Sequence, residues 1–233
     1  MRLDRLEALI GSDNSALLKT KTILVCGLGG VGSYCAEALA RSGLCGLVLA
    51  DCDVVDPTNA NRQLIALDST IGQMKTDVMR ERIADIDPQV VVTTFTERIS
   101  PDNLERLFAG NPDFVVDAID DVEAKTALIA YAVARGVPIV SAMGFANKLH
   151  PEKIQISTLD KTTVCPLARI VRMKLRDQGL AARVPVVYST EAPIASRREG
   201  IKLGSSAFVP AAAGLFAAAY VINAFIQMEA IRS

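Results

Sequence analysis

Arg62, Gln63, Lys75 and Asp120, together with Asp51 and the run Gly27-Leu28-Gly29-Gly30-Val31-Gly32, are the residues whose types and spacing could do chemistry. An arginine offers phosphate a bidentate fork, whereas a lysine is a point charge on a flexible stem. An aspartate such as Asp120 could hold Mg²⁺. Hydride-transfer enzymes meet a pyrophosphate mostly with backbone N–H groups and need no further cations. Cleaving a triphosphate between its α and β phosphates is more demanding. It calls for cations on the departing pyrophosphate and a metal between the oxygens. Each residue also has an ordinary alternative: a surface ion pair for Arg62, a solvated helix position for Lys75, a helix cap for Asp120. Convergence on one side of a sheet is what favours the chemical reading.

The elements around these residues predict that convergence. Thr22 to Cys26 reads as a buried strand, followed by Gly27-x-Gly29-x-x-Gly32 and a helical pattern from Val31 to about Arg41. A strand, a tight turn and a helix N-terminus present free backbone N–H groups to a phosphate. Gly27 permits the turn, Gly29 allows close approach of phosphates, and Gly32 allows helix and strand to pack closely. Asp51 closes the next apolar run, nineteen residues after Gly32, where a ribose-binding acid belongs. A dinucleotide, or the AMP half of one, is the expected ligand.

The stretch from Asp51 to Gln63, which includes Asp53, Asn59, Asn61 and Arg62, departs from an ordinary dinucleotide-binding unit. It reads as a polar loop at the carboxyl end of a strand, where open α/β sheets bind ligands. Gly72-x-x-Lys75 opens a helix running to Ile86 and stopped by Asp87-Pro88. Strands are expected at 90–95, 113–120 and 137–141, with helices from Ser100 and over 122–135. This β-α-β rhythm predicts an α/β fold, a Rossmann-like doubly wound and mostly parallel sheet with right-handed crossovers.

Beyond residue 144 the rhythm changes. Segments 153–159 and 184–189 read as additional strands at an antiparallel edge, and Cys165 to Arg176 as a basic helix between them. Thr190 to Ser206 is polar, carries Arg197, Arg198 and Lys202, lacks a period and reads as a mobile loop. Ala207 to Ile226 bears no formal charge and meets the length of a membrane span. Its alanines, Pro210 and Asn223 favour a helix in the core or in a dimer interface over membrane association. Residues 1–145 are thus expected to be a nucleotide-binding core and 146–233 a substrate and dimerisation extension of the same domain.

With 233 residues and half of them hydrophobic, the chain suits one large globular α/β domain. A net charge of −1 points to no polyanion or membrane by itself, so any basic site must be local. Five cysteines form no C-x-x-C pair, and one histidine, His150, cannot complete a zinc site. The odd cysteine count and the charged N-terminus read as a reduced, cytoplasmic protein. At the N-terminus, Arg2 and Arg5 share a helix face, which is either solvated or an arm reaching phosphates.

The set Gly27 to Ser33, Asp51-x-Asp53, Asn59-x-Asn61-Arg62-Gln63, Gly72-x-x-Lys75 and Asp117-Ala118-Ile119-Asp120 resembles, in order and spacing, the adenylation domain of the ThiF/MoeB/HesA ubiquitin-activating superfamily. That resemblance implies adenylation of a carboxylate by ATP with loss of pyrophosphate. It implies that Gly27, Gly29, Gly30, Gly32, Asp51 and Asp53 line the nucleotide, with Asp51 on the ribose. Arg62 and Lys75 would meet the phosphates, Asp120 the Mg²⁺ and the reaction centre, and Asn59, Asn61 and Gln63 would support them. It further implies a homodimer in which an arginine of the N-terminal arm, here Arg5, serves the partner's site.

The second half narrows the branch. Superfamily members that activate ubiquitin-like sulfur carriers typically keep two C-x-x-C zinc pairs, which this chain lacks. Lys161-Thr162-x-x-Cys165-Pro166-Leu167-Ala168, the helix after it, Val186 to Pro193 and Gly204-Ser205-x-x-Phe208-Val209-Pro210 instead resemble the tRNA threonylcarbamoyladenosine dehydratases. Cys165 departs from the aspartate expected before Pro-Leu. The resemblance implies ATP-dependent cyclisation of the modified adenosine at tRNA position 37, with proteins of a cysteine-desulfurase and sulfur-acceptor pathway as partners. A basic surface of Arg169, Arg172, Arg176, Arg197, Arg198 and Lys202 would bind the tRNA. An NAD-linked oxidoreductase, a sulfur-carrier adenylyltransferase and a membrane-tethered scaffold are the competing readings.

Overall fold

The computed structural model describes residues 2–230. Two short helices, α1 (Asp4–Ile10) and α2 (Ser12–Leu18), lead into β1 (Thr22–Cys26), α3 (Gly32–Ala40) and β2 (Gly46–Ala50). A long loop then precedes α4 (Lys75–Ile86), β3 (Val91–Phe95), α5 (Leu104–Leu107), β4 (Phe114–Asp117), α6 (Val122–Ala134) and β5 (Ile139–Ala142). The second half adds β6 (Ile154–Thr158), α7 (Pro166–Asp177), β7 (Pro185–Ser189) and α8 (Phe208–Ala230).

The strands form one sheet in the order β3-β2-β1-β4-β5-β7-β6. Only β6 runs antiparallel; β7 joins β5 in parallel, through Ser141 opposite Val186 and Ala142 opposite Val187. The expected antiparallel edge is therefore a single strand. Side chains along the central strands alternate between two cores, as strand geometry requires. Ile23, Val25, Leu47, Leu49 and Val116 face α3, α4 and α8, while Leu24, Cys26 and Val115 face α5, α6 and α7. Strand order reverses between β1 and β4, which opens the crevice where doubly wound sheets bind ligands.

Helix α8 belongs to the first of these cores. Val209, Ala213, Ala217, Ala218, Val221 and Phe225 are buried there beside Cys35, Ala36 and Leu39 of α3. Gly214 makes the approach possible, because a Cβ there would lie 2.3 Å from the carbonyl oxygen of Val31. Residues 208–226 are apolar and long enough to cross a membrane by length and composition. Their inner face is nonetheless part of the sheet's core, as the composition favoured. Phe208, Leu215 and Phe216 remain exposed on the outer face.

Candidate active site

The three loops that leave β1, β2 and β4 build the crevice. At the end of β1 the chain turns through Gly27, whose φ of 89° is accessible to glycine and whose added Cβ would strike the Ala118 carbonyl oxygen at 2.7 Å. A Cβ on Gly32 would lie 1.7 Å from the Gly27 carbonyl oxygen, so only glycine lets α3 start against the strand. Gly29 is different: a Cβ there would meet nothing closer than Gln63 Nε2 at 3.8 Å. Its bare backbone faces open space, the form a phosphate cradle needs. Gly30 abuts Pro210 at the start of α8, with Arg62 Cγ alongside.

Asp51, after β2, is almost wholly buried and accepts hydrogen bonds from the backbone N–H of Leu28 at 2.6 Å and of Asp53 at 2.9 Å. One carboxylate thus ties the loop after β2 to the glycine turn. Burial raises its pKa above the ordinary aspartate value, against the opposing pull of the Lys75 charge and the two N–H donors.

Lys75 is the first residue of α4 and is 5% exposed, which removes the solvated-helix alternative. Its ammonium sits 2.7 Å from Asp53 and 3.9 Å from Asp51. Asp53 thus holds the lysine; 64% of its own side chain remains exposed.

Arg62 lies in the loop after β2, half-buried, and donates to the Thr58 carbonyl at 2.9 Å and to Asn61 Oδ1 at 3.0 Å. Among the described residues it has no carboxylate within ion-pair distance, so the surface-pair alternative falls and its fork is available to an anion. Asn59 is buried and accepts from the Asp56 N–H, shaping the loop instead of pointing at a ligand. Asn61 is redirected too. It is exposed and bridges Arg62 to the Ser205 carbonyl at 3.0 Å, supporting the arginine from the side. Gln63 is 7% exposed with Oε1 unpartnered beside the glycine turn, an acceptor that a ligand N–H or O–H would satisfy.

Asp120 follows β4 and is exposed. It is not the cap of α6: Asp121 does that work, accepting from the Ala124 N–H at 2.9 Å and pairing with Arg98 at 3.0 Å. Among the described residues Asp120 has neither hydrogen bond nor ion pair, and no group of three or more metal-ligating side chains surrounds it. A lone carboxylate still suits Mg²⁺, which takes one or two carboxylates and completes its shell with phosphate oxygens and water.

One group was missed in the sequence. Asp117 and Lys125, both fully buried, form an ion pair at 2.6 Å beneath the Asp120 loop. Ser141 donates to the same carboxylate, and the lysine also donates to Ser141 Oγ and the Ala142 carbonyl. The other Asp117 oxygen accepts from the Ile119 N–H at 3.1 Å and so shapes the turn that presents Asp120. A single charged residue in the run Ala124 to Ala130 was the available signal.

Two expected site arginines remain, and one of them, Arg172, needs correction. Arg5 lies in α1, exposed, at the far end of its own chain's sheet. Nearby Leu3 packs on Gly43 after α3, and Arg2 bonds the Ile86 carbonyl at 3.0 Å at the end of α4. Both contacts lie at the amino ends of the strands, opposite the glycine turn, so Arg5 joins no site within this chain. Arg172 leaves the basic face. One guanidinium nitrogen donates to the Leu159 and Thr162 carbonyls and to Thr162 Oγ1, anchoring α7. Arg169, Arg176, Arg197, Arg198 and Lys202 are exposed. Cys165, just before α7, is 5% exposed beside an open cleft of about 470 Å³ lined by Thr163, Arg169 and Met173.

The ThiF family profile matches residues 3–232. The tRNA threonylcarbamoyladenosine dehydratase of Bacillus subtilis is 41% identical over 95% of this chain and 93% of its own length. Its namesake from Escherichia coli is 39% identical over 82% of this chain and 74% of its own length. Crystal structures of the E. coli enzyme superpose on the whole chain and on 96% of that protein. With AMP bound the TM-score is 0.95 at 36% identity, and with ATP bound 0.93 at 35%. Molybdopterin-synthase adenylyltransferase of Salmonella typhimurium is 36% identical over 53% of this chain and 49% of its own length.

Proposed function

The chain belongs to the ThiF family, and from that membership we propose an ATP-dependent tRNA threonylcarbamoyladenosine dehydratase. The observation that carries the reading is the grouping of an open glycine cradle, a buried ribose acid, an unpaired arginine and a free aspartate around one crevice. The full-length similarity to relatives of that name supports it.

In this reading ATP lies along the end of the sheet. Asp51 accepts from the ribose hydroxyls, and the backbone at Gly29 meets the phosphates. Arg62 and Lys75 draw charge off the departing pyrophosphate, where electrostatic stabilisation contributes most. The substrate carboxylate attacks the α-phosphorus, the bond to the β-phosphate oxygen breaks, and pyrophosphate leaves. A nitrogen of the same modification then attacks the activated carbonyl and loses its proton. AMP departs and a hydantoin-type ring closes with net loss of one water. Attack is intramolecular, so proximity replaces an enzyme nucleophile. Mg²⁺, when bound, would neutralise phosphate charge, and Asp120 is the residue that would hold it.

The same proposal places the protein in the cytoplasm as a homodimer. The exposed strip Phe208, Leu215 and Phe216 would lie against a second copy, and Arg5 would serve the partner's site. Arg169, Arg176, Arg197, Arg198 and Lys202 would face the tRNA backbone. The reaction moves no sulfur, so cysteine-desulfurase and sulfur-acceptor proteins are outside the proposal.

The deciding experiment incubates the protein with ATP, Mg²⁺ and tRNA bearing the threonylcarbamoyl group, then weighs the nucleoside. Loss of one water, abolished by Asp120→Ala, is the expected result; an unchanged mass overturns the proposal.

A further inference from the structure

The basic stretch after β7 was expected to be a mobile loop, and it is irregular, yet a single side chain gathers its base. Asn147 has a left-handed backbone with φ of 59°. Its amide N–H donates to the Gly204 carbonyl at 2.8 Å, and its carbonyl accepts from Ile194 N–H at 2.9 Å. Its side chain accepts from Gly204 N–H at 2.6 Å and donates to the Lys202 carbonyl at 3.1 Å. Four hydrogen bonds from one residue therefore close the segment 194–204 into a loop whose tip carries Arg197 and Arg198.

The next residues reinforce the base. Lys148, 3% exposed, donates to the Ser189 and Glu191 carbonyls, and the Glu191 carboxylate accepts from the N–H groups of Leu149 and His150. On the far side, Ser205 accepts from Asn61, which also holds Arg62. Arg62 is thus linked through Asn61 to Ser205, the chain neighbour of the Gly204 that Asn147 holds. Nothing in the ATP chemistry requires Asn147; what it orders is a positively charged loop at the mouth of the crevice.

We propose that Asn147 is a positioning residue that holds the loop 194–204 ready for the polyanionic substrate, and so governs substrate affinity instead of the chemical step. This rests on the dehydratase reading for its substrate, but the brace can be tested without it. The variant to make is Asn147→Gly, which tolerates the left-handed backbone and removes the side chain with both of its hydrogen bonds. An alanine would add backbone strain and confuse the two effects.

Trypsin cleavage after Arg197, Arg198 and Lys202 reports opening of the loop, because proteolysis tracks the population of the open form. Loss of two side-chain hydrogen bonds should speed nicking roughly tenfold. Asn147→Asp keeps the acceptor for Gly204 and loses the donor to Lys202, so it should nick at an intermediate rate. With tRNA bearing the threonylcarbamoyl group, KM should rise by about tenfold in Asn147→Gly, with kcat and ATP affinity unchanged. Nicking at the wild-type rate overturns the proposal, and so does a fall in kcat with KM unchanged. If the wild-type protein does not convert the tRNA, the dehydratase reading fails, and the nicking rates still decide the brace.

Discussion

Lys125 donates from a fully buried ammonium to Asp117 at 2.6 Å, and the same carboxylate shapes the turn that presents Asp120. The pair lies at the topological switch point, directly under the proposed reaction centre. Removing one partner leaves the other charge buried without compensation, so Lys125→Met should cost about 3–5 kcal/mol. Adding Asp117→Asn to Lys125→Met removes the stranded charge and should restore much of that stability, with the amide oxygen still able to accept from Ile119. Urea unfolding of both variants, set beside their pyrophosphate release, separates the structural cost from the catalytic one.

On the proposed reading, Asp51 should make nucleotide binding sensitive to acid. Its carboxyl is pushed up by burial, so the folded protein holds that proton more tightly than the unfolded chain does. This group's contribution to apo-protein stability therefore grows as pH falls through the folded value, and levels off below the unfolded value of about 3.9. If Asp51 accepts from the ribose as proposed, ATP affinity should change in the opposite direction, because the neutral acid is a poorer acceptor. Titration calorimetry should show ATP binding weakening at a pH above the ordinary aspartate range. Lys75→Met should move that onset higher still, since the lysine charge pulls the carboxyl down.

The basic residues of the second half separate into two kinds. Charge reversal at exposed Arg169, Arg176 or Arg197 should weaken tRNA binding and flatten its salt dependence by roughly one unit of slope per lost phosphate contact. ATP affinity should stay as it was. Arg172→Ala should behave differently, lowering the unfolding midpoint with the salt slope intact, because its guanidinium anchors α7 to Leu159 and Thr162. Fluorescence anisotropy across a salt series distinguishes the two.

Gly214→Ala tests the contact between α8 and α3. The added methyl would meet backbone atoms, the Val31 carbonyl at 2.3 Å and the Cys35 nitrogen at 3.0 Å, so no side chain can yield. Overpacking of this kind costs about 1–3 kcal/mol. Because α3 begins in the glycine turn, ATP affinity should fall in parallel with the thermal midpoint.

Much of the crevice was legible in the sequence because local chemistry and topology agree there. Gly27 and Gly32 are demanded by backbone collisions, and Asp51 and Asp120 stand where strands end, so spacing alone reaches them. Lys75 was readable from its place at the head of a helix, although its burial was not. Side-chain direction was harder. Asn61 and Arg172 carry the right chemistry but turn toward neighbours distant in sequence, Ser205 and Leu159, which no local pattern reveals. Asp117 with Lys125, and Asn147 with its loop, escaped for the same reason: each is defined by a partner on another element.

The contact of Gly214 with Val31 also bears on how the protein is made. Helix α3 carries the glycine turn at its head, and much of its outer side packs against α8, far downstream. A ribosome that has released the whole nucleotide-binding half has not yet released the helix that seals it. The cradle therefore matures after α8 has emerged, and long-range closure of this kind is slow to form.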